Sequence, residues 1–269
     1  MKQIILGGPI GRIALYLREK FDFLHAAFLN SEAVGTLAND YLASHLVVAM
    51  CKPRKTFVDV GAHIGSIISE VLHFDSSIKV VAVEAIPEKA KKLKKKFPNV
   101  DIHDCAVGDS NGFVSFFIYI NKTGFSSLGK PTAQSDDSIA EIKVPIKKLD
   151  DLIVSTDVDV IKIDVEGAEL GVLRGAVNLL NQSRPIIMFE SGPQLDDGLG
   201  YTKEKMFDFF SENNYAVLIP NRVAHNDSGL SLNGFLDSHL YPRRTTNYFA
   251  IPNERREEAK TRARKILNI

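Results

Sequence analysis

The sequence predicts an α/β fold: a mostly parallel sheet covered by helices on both faces. Three observations carry that prediction. Strand and helix patterns alternate from Thr56 onward. The strands are nearly continuous apolar runs, as in sheets buried on both sides. A glycine turn, "DVGAHIG", joins the first strand to the first helix of the series. The crossovers are expected to be right-handed.

Residues 11 to 50 read as helical, in "GRIALYLREKFDFLHAAFL" and "NDYLASHLVVAM", with Asn39 or Asp40 as an N-cap of the second. "TFVDV" is a buried strand. In "HIGSIISEVLHF", Ile64, Ile67, Ile68, Val71 and Leu72 recur at helical spacing. "IKVVAVE" is the next strand, and "PEKAKKLKKKF" a helix with Pro87 in its first turn. "VDIHDCAV" is a third strand. "FVSFFIYI" is strand-like, "NKTGFSSLGKPTAQSDDS" a polar loop, and "IAEIKVPIKKLDDLI" a strand running into a short helix. The alternation resumes with "VDVIKID", the helix "AELGVLRGAVNLL" and the strand "RPIIMFES". A helix around 201 to 213, then "YAVLIP" and "TNYFAIP", completes the series. The tail "NERREEAKTRARKILNI" is a charged helix with a stripe at Ala259, Ala263, Ile266 and Leu267.

The bulk properties narrow the function. The chain has 269 residues, 45% apolar and 25% charged, ordinary for a soluble globular protein. Lys plus Arg equals Asp plus Glu at 33 each, so no net charge draws it to nucleic acid or anionic membrane. Two distant cysteines, Cys51 and Cys105, fit a reducing compartment, and a cytoplasmic location is expected. The opening "MKQIILGGPIGRIALYL" reads as mature structure, not a signal peptide. No apolar stretch approaches the roughly 20 residues of a membrane span.

The glycine turn identifies a ligand class. Gly61 and Ala62 keep the turn thin, and Gly65 lets the helix pack close to the sheet. The pattern is not G-x-G-x-x-G, which seats a pyrophosphate on a helix N-terminus. Asp59 would repel a diphosphate and suits an ammonium or sulfonium. Glu84 ends the second strand, where an acid accepts both hydroxyls of a ribose. An adenosine with a cationic amino-acid tail meets both demands, and S-adenosylmethionine is that molecule.

At these residues the sequence resembles the FkbM family of S-adenosylmethionine-dependent methyltransferases. The matching segments run from about Phe57 to Ser191: "FVDVGAHIGS", "VVAVEAIPE", "CAVGDSNG", "FSSL", "KKLDDLI", "IKIDVEGAELGVLRGA" and "PIIMFES". The resemblance implies a class I methyltransferase, Rossmann-like fold with a seven-stranded sheet and one antiparallel edge strand. It implies methyl transfer to a hydroxyl of a small molecule, sugar or glycan. Asp59, Gly61, Ala62 and Gly65 would line the methionine end of the cofactor, and Glu84 with Ala85 the ribose. Asp104, Cys105 and Ala106 would border the adenine. His63 stands where the family often has Asn, and is expected near the cofactor carboxylate. The chain then divides into an N-terminal helical extension (1–50), a methyltransferase domain (51–252) and a C-terminal charged helix (253–269). Substrate specificity is expected in the first 45 residues and in 192–245.

A neutral hydroxyl is a poor nucleophile, so a proton acceptor is needed at the methyl edge. Asp164 ends a central strand and is expected there as base or substrate orienter. Glu166, in the following turn, and Glu190, at the neighbouring strand tip, are the other pocket candidates. Glu169 opens a helix and is expected to cap its free N–H groups. Lys162 reads as a buried stem paired to a nearby acid. Asp164 and Glu190 would also suit a divalent cation, but no ligand set is readable and no metal is expected. Loops 121–138 and 221–234 have the length of lids. An NAD-dependent oxidoreductase or epimerase, and a non-catalytic interaction module, are the alternatives.

Overall fold

The computed structural model describes residues 21, 24–119, 128–129, 139–192 and 199–269. The stretch read as mature N-terminus, the start of the first expected helix, and most of loop 121–138 lie outside the described residues.

Ten strands are present among the described residues: β1 (Thr56–Val60), β2 (Lys79–Val83), β3 (Asp101–His103), β4 (Ala106–Val107), β5 (Gly112–Tyr119), β6 (Ile139–Lys147), β7 (Val158–Ile163), β8 (Ile186–Glu190), β9 (Tyr215–Leu218) and β10 (Asn247–Pro252). Seven form the main sheet in the order β3-β2-β1-β7-β8-β10-β9. The pairs from β3 through β8 are parallel, and β10 is antiparallel to both neighbours. The antiparallel strand is therefore second from the edge, not the edge strand that the resemblance implied. The two strands differ in length: β10 has six residues and β9 four. Short strands are the ones that suit an edge. The expected third strand also divides. Asp101–His103 stays in the main sheet, and Ala106–Val107 joins β5 and β6 in a second sheet ordered β4-β6-β5.

Residues 24–29 are helical, and nine further α-helices surround the sheets in the described residues: α1 (Val34–Ala49), α2 (Ser66–Phe74), α3 (Pro87–Lys96), α4 (Leu149–Leu152), α5 (Glu169–Arg174), α6 (Val177–Ser183), α7 (Lys203–Glu212), α8 (Leu232–Ser238) and α9 (Arg256–Leu267). One face of the main sheet carries α1, α2, α3 and α9, through Leu46, Val71, Leu93 and Ala263. The other carries α4 to α8, through Leu149, Leu173, Leu180, Phe210 and Phe235. Thus α1 and the charged tail helix α9 share the core of the sheet. The tail's Ala259 and Ala263 are wholly buried.

Three local expectations change. Helix α1 starts at Val34, so Asn39 and Asp40 lie inside it and cap nothing. Their side chains reach the segment before β10 instead: Asn39 Nδ2 donates to the Arg244 carbonyl at 2.8 Å. The single helix expected after β7 is two, α5 and α6. A β-carbon on Gly175, between them, would run into the Gly108 carbonyl, so the chain bends where only glycine fits. Asp150 then caps α6 from outside, accepting from the N–H groups of Asn178 (3.0 Å) and Leu179 (2.8 Å). Asp150→Ala will lower the unfolding free energy by about 1–2 kcal/mol, as cap removals do; urea denaturation measures it. Finally, 221–234 is not an open lid, because it holds the end of a 3-10 turn (Pro220–Arg222) and the start of α8.

Strands β1, β2, β7 and β8 point the same way, and strand order reverses between β1 and β7. In open α/β sheets that reversal, at the carboxyl ends, is where ligands bind.

Candidate active site

The turn after β1 is shaped by steric necessity. Gly61 has φ +82°, and a β-carbon there would strike the Asp164 carbonyl of the neighbouring strand end. Gly65 has φ +73° and faces the Phe97 and Leu93 side chains. His63 has φ +52°. That left-handed region is sparse for most residues but enriched in Asn, Asp and His. A histidine is therefore a physically compatible exchange for the asparagine common in the resembled family. Its backbone N–H donates to Glu84 Oε2 at 2.7 Å, and the Ile86 N–H donates to Oε1 at 2.9 Å. Glu84 is thus fixed at the β2 tip, with a lone pair left on each oxygen. Burial raises its carboxyl pKa, and these two N–H bonds oppose the rise.

Lys162, in β7, pairs in register with Asp59 in β1. Its ammonium lies 3.1 Å from Asp59 Oδ1, 3.3 Å from Asp164 Oδ2 and 2.9 Å from the Gly61 carbonyl. The ammonium is ion-paired to both carboxylates and donates to the Gly61 carbonyl, while Asp59 Oδ1 has no hydrogen bond of good geometry. Burial works against its charge, but Asp164 and Asp59 outweigh that and hold its pKa above the usual value. Asp59 is almost completely buried, which raises its own carboxyl, with Lys162 opposing.

Asp164, Glu166 and Glu190 converge, with one carboxylate oxygen from each lying within 4.8 Å of the others. Burial pushes Asp164 upward, yet Lys162 and a hydrogen bond to Glu190 prevail and lower it. Glu190 moves the opposite way, raised by burial and then by the Asp164 charge. Of the two, Asp164 is biased toward its ionised form and Glu190 toward its protonated form. Glu166 sits in the turn with φ +53°. Burial, then the charges of Asp164 and Glu169, push it up to about 7. Glu169 is buried and accepts the N–H groups of Val165 (3.1 Å) and Gly167 (3.2 Å). It therefore holds the turn that displays Glu166, and these two bonds go to that turn and not to the free N–H groups of α5 it was expected to cap.

These groups border one cavity of about 380 Å³, within the range of small-ligand sites. Of the sequence-predicted residues, Asp59, Gly61, Ala62, His63, Glu84, Ala85, Cys105, Ala106, Asp164, Glu166 and Glu190 line it. Gly65 and Asp104 do not. Gly65 is turned to Phe97, and Asp104 turns outward to Lys94 at 3.1 Å. Burial pushes the Cys105 thiol up to about 11, so it is neutral. His63 Nε2 is buried without a hydrogen-bond partner, and burial lowers the ring's pKa to about 4. A neutral imidazole thus offers an unmatched nitrogen beside the cavity.

Sequence reasoning missed Ser44, Ile86, Lys89, Phe116, Leu128 and Asn247, which also line the cavity. Ile86 and Phe116 belong to a small apolar cluster with Ala106 and Val144, with Leu128 packed against it. No sequence signal marked them, because that wall forms only where the second sheet meets the end of β2.

The cavity suits S-adenosylmethionine. It has a thin glycine turn, an acid with free lone pairs at the β2 tip and an apolar wall for a flat base. Its carboxylate-rich edge suits a sulfonium. Among the described residues, no helix is long and apolar enough to cross a membrane.

A family model described as "Methyltransferase FkbM domain" matches residues 59–217. Solved structures with similar folds include an FkbM methyltransferase from Methylobacillus flagellatus (16% identity, TM-score 0.46), covering 88% of this chain. This chain spans 60% of that protein's length. A TehB-like S-adenosylmethionine-dependent methyltransferase from Corynebacterium glutamicum has 11% identity and TM-score 0.40, covering 78% of this chain and 85% of its own. The plantazolicin methyltransferase BamL, solved with S-adenosylhomocysteine, has 10% identity and TM-score 0.39, with coverage of 93% and 94%. No curated protein matches the sequence.

Proposed function

The chain belongs to the FkbM family of S-adenosylmethionine-dependent methyltransferases, and from that membership we propose that it methylates a hydroxyl oxygen of a small molecule, sugar or glycan. The observation that carries the oxygen assignment is the convergence of Asp164, Glu166 and Glu190 at the cavity edge. A hydroxyl must lose its proton as it attacks, and this edge holds a carboxylate matched to that task.

The cofactor, when bound, supplies an electrophilic methyl group on a sulfonium that leaves as a neutral thioether. The chain's residues do the rest. Glu84 holds the ribose hydroxyls with its remaining lone pairs. Ile86, Phe116 and Leu128 cover the adenine, and Cys105 and Ala106 border it. Gly61, Ala62 and His63 take the methionine end. Asp164, kept ionised by Lys162, accepts a hydrogen bond from the acceptor hydroxyl and orients it. Glu166, with its carboxyl near 7, takes the proton. With the cofactor in place, its methyl would pass to that oxygen with the thioether as leaving group, and Glu166 would keep the proton. Glu190, raised by burial and by the Asp164 charge, steadies Asp164.

Isothermal calorimetry tests the cofactor assignment. S-adenosylmethionine and S-adenosylhomocysteine will bind at micromolar strength, and Glu84→Ala will weaken both by about 10–100-fold, the effect of losing charged hydrogen bonds. A folded sample that binds neither rules the reading out. NADH binding in a fluorescence titration would favour the oxidoreductase alternative. Methyl transfer to any acceptor excludes the interaction-module alternative.

Metal removal gives a further expectation. The three acids have oxygen-ligand spacing, but the Lys162 ammonium already provides positive charge beside Asp164. EDTA will leave turnover unchanged. Loss with EDTA and recovery with Mg²⁺ would assign the acids to a cation instead. A cytoplasmic setting fits the two cysteines, both buried and unbonded.

A further inference from the structure

Asp40, in α1, binds the start of β10 with unusual density. Its Oδ1 accepts from Thr245 Oγ1 (2.7 Å), the N–H groups of Thr246 (2.8 Å) and Asn247 (3.2 Å), and Asn247 Nδ2 (3.3 Å). Its Oδ2 accepts from Thr246 Oγ1 at 3.0 Å. An ionised carboxylate only accepts, so the amide atom turned to it must be the NH₂ of Asn247. The second amide proton goes to Thr246 Oγ1 at 3.1 Å. What Asn247 can offer a ligand is therefore its carbonyl oxygen.

Asn247 stands opposite Glu190 in the β8–β10 register and lines the cavity with it. Ser44, one turn after Asp40, lines the same cavity. Its hydroxyl donates to the Asp40 carbonyl at 3.3 Å, which leaves its lone pairs. The Lys162 ammonium is held among Asp59, Asp164 and the Gly61 carbonyl. Among the described residues, the part of the wall around Asn247 and Ser44 is rich in hydrogen-bond acceptors, with the acids Asp164 and Glu190 in the same cavity, and Lys89 enters the lining from α3.

We propose that Asn247 and Ser44 read the acceptor: their oxygens accept hydrogen bonds from a second donor, a hydroxyl or amino group, next to the oxygen that is methylated. Asp40 is a positioning residue that sets the Asn247 amide. The proposal rests on the methyl-transfer reading and adds α1 to the acceptor site. It favours acceptors with two neighbouring donors and disfavours those with a carboxylate or phosphate at that place.

The test pairs S-adenosylhomocysteine calorimetry with transfer of labelled methyl from S-adenosylmethionine into a cell extract, taken through a dilution series. Asn247→Ala will raise the apparent acceptor KM about tenfold or more, the loss of a specific hydrogen bond. The kcat will change little, and S-adenosylhomocysteine affinity will stay within about twofold. Asp40→Asn will raise KM in the same direction. Ser44→Ala keeps a good helix former in place and will raise KM even if Asn247→Ala fails to fold. Unchanged KM in the folded variants overturns the proposal, as does cofactor affinity falling in step with KM. Wild-type protein that binds S-adenosylhomocysteine but labels nothing overturns the methyl-transfer reading itself, and this proposal with it.

Discussion

Replacing Lys162 with Met will destabilise the folded chain by about 3–5 kcal/mol, the cost of breaking a buried ion pair from one side. Met retains the apolar stem, so the loss isolates the ammonium. Three acceptors lose their shared donor: Asp59, Asp164 and the Gly61 carbonyl. Asp59 is almost completely buried and has no water to turn to. Denaturant unfolding followed by circular dichroism gives the number. Adding Asp59→Asn to Lys162→Met will restore part of the loss, because the stranded charge is removed. A loss below about 1 kcal/mol, the value of an exposed pair, would show that Lys162 does not hold these strand ends together. The same variant will bind S-adenosylhomocysteine poorly, since the glycine turn is tied to this ammonium.

Glu166→Gln will lower turnover by about 10²–10⁴-fold, the usual contribution of general-base catalysis, with cofactor affinity kept. The wild-type rate will also depend on pH in a definite sense. Glu166 accepts a proton only when ionised, and its pKa is raised to about 7 by burial first and its acidic neighbours next. The rate will therefore rise as pH increases through about 7 and fall below it. Glu166→Gln will remove that limb. Asp164→Asn will also reduce turnover but keep the limb, because Asp164 orients the acceptor and does not take its proton. If Glu166→Gln keeps the limb and Asp164→Asn abolishes it, the two roles are exchanged.

Much of the fold was legible. The strands around "TFVDV", "VDVIKID" and "RPIIMFES" follow from apolar runs that suit burial on both faces. The glycine turn follows from its spacing alone. Errors gathered where a tertiary contact replaced a local one. Asn39 and Asp40 resemble caps because their side chains compete for nearby backbone groups. Here that hydrogen-bonding capacity serves Arg244 and residues 245–247 instead. "AELGVLRGAVNLL" has continuous helix propensity, yet the Gly108 carbonyl crowds Gly175 and divides it. The β10 position next to β8 depends on long-range pairing, which periodicity does not encode.

The candidate site shows the same division. By itself the sequence determined which chemical groups stand at the strand tips: Asp59, Glu84, Asp164 and Glu190, with a thin glycine turn among them. Alternation along a strand and a short turn fix such positions within a few residues of chain. Only the tertiary structure decided how those charges divide. Lys162 could be known as a paired ammonium, but not that it lies within reach of Asp59, Asp164 and Gly61 together. Nor could sequence say that burial and the Asp164 charge raise Glu190 while Glu166 is pushed up to about 7. Charge depends on distance and burial, and both are set by segments far apart in the chain. Ser44 and Asn247 lie about two hundred residues apart by number and meet at one wall because Asp40 ties α1 to β10.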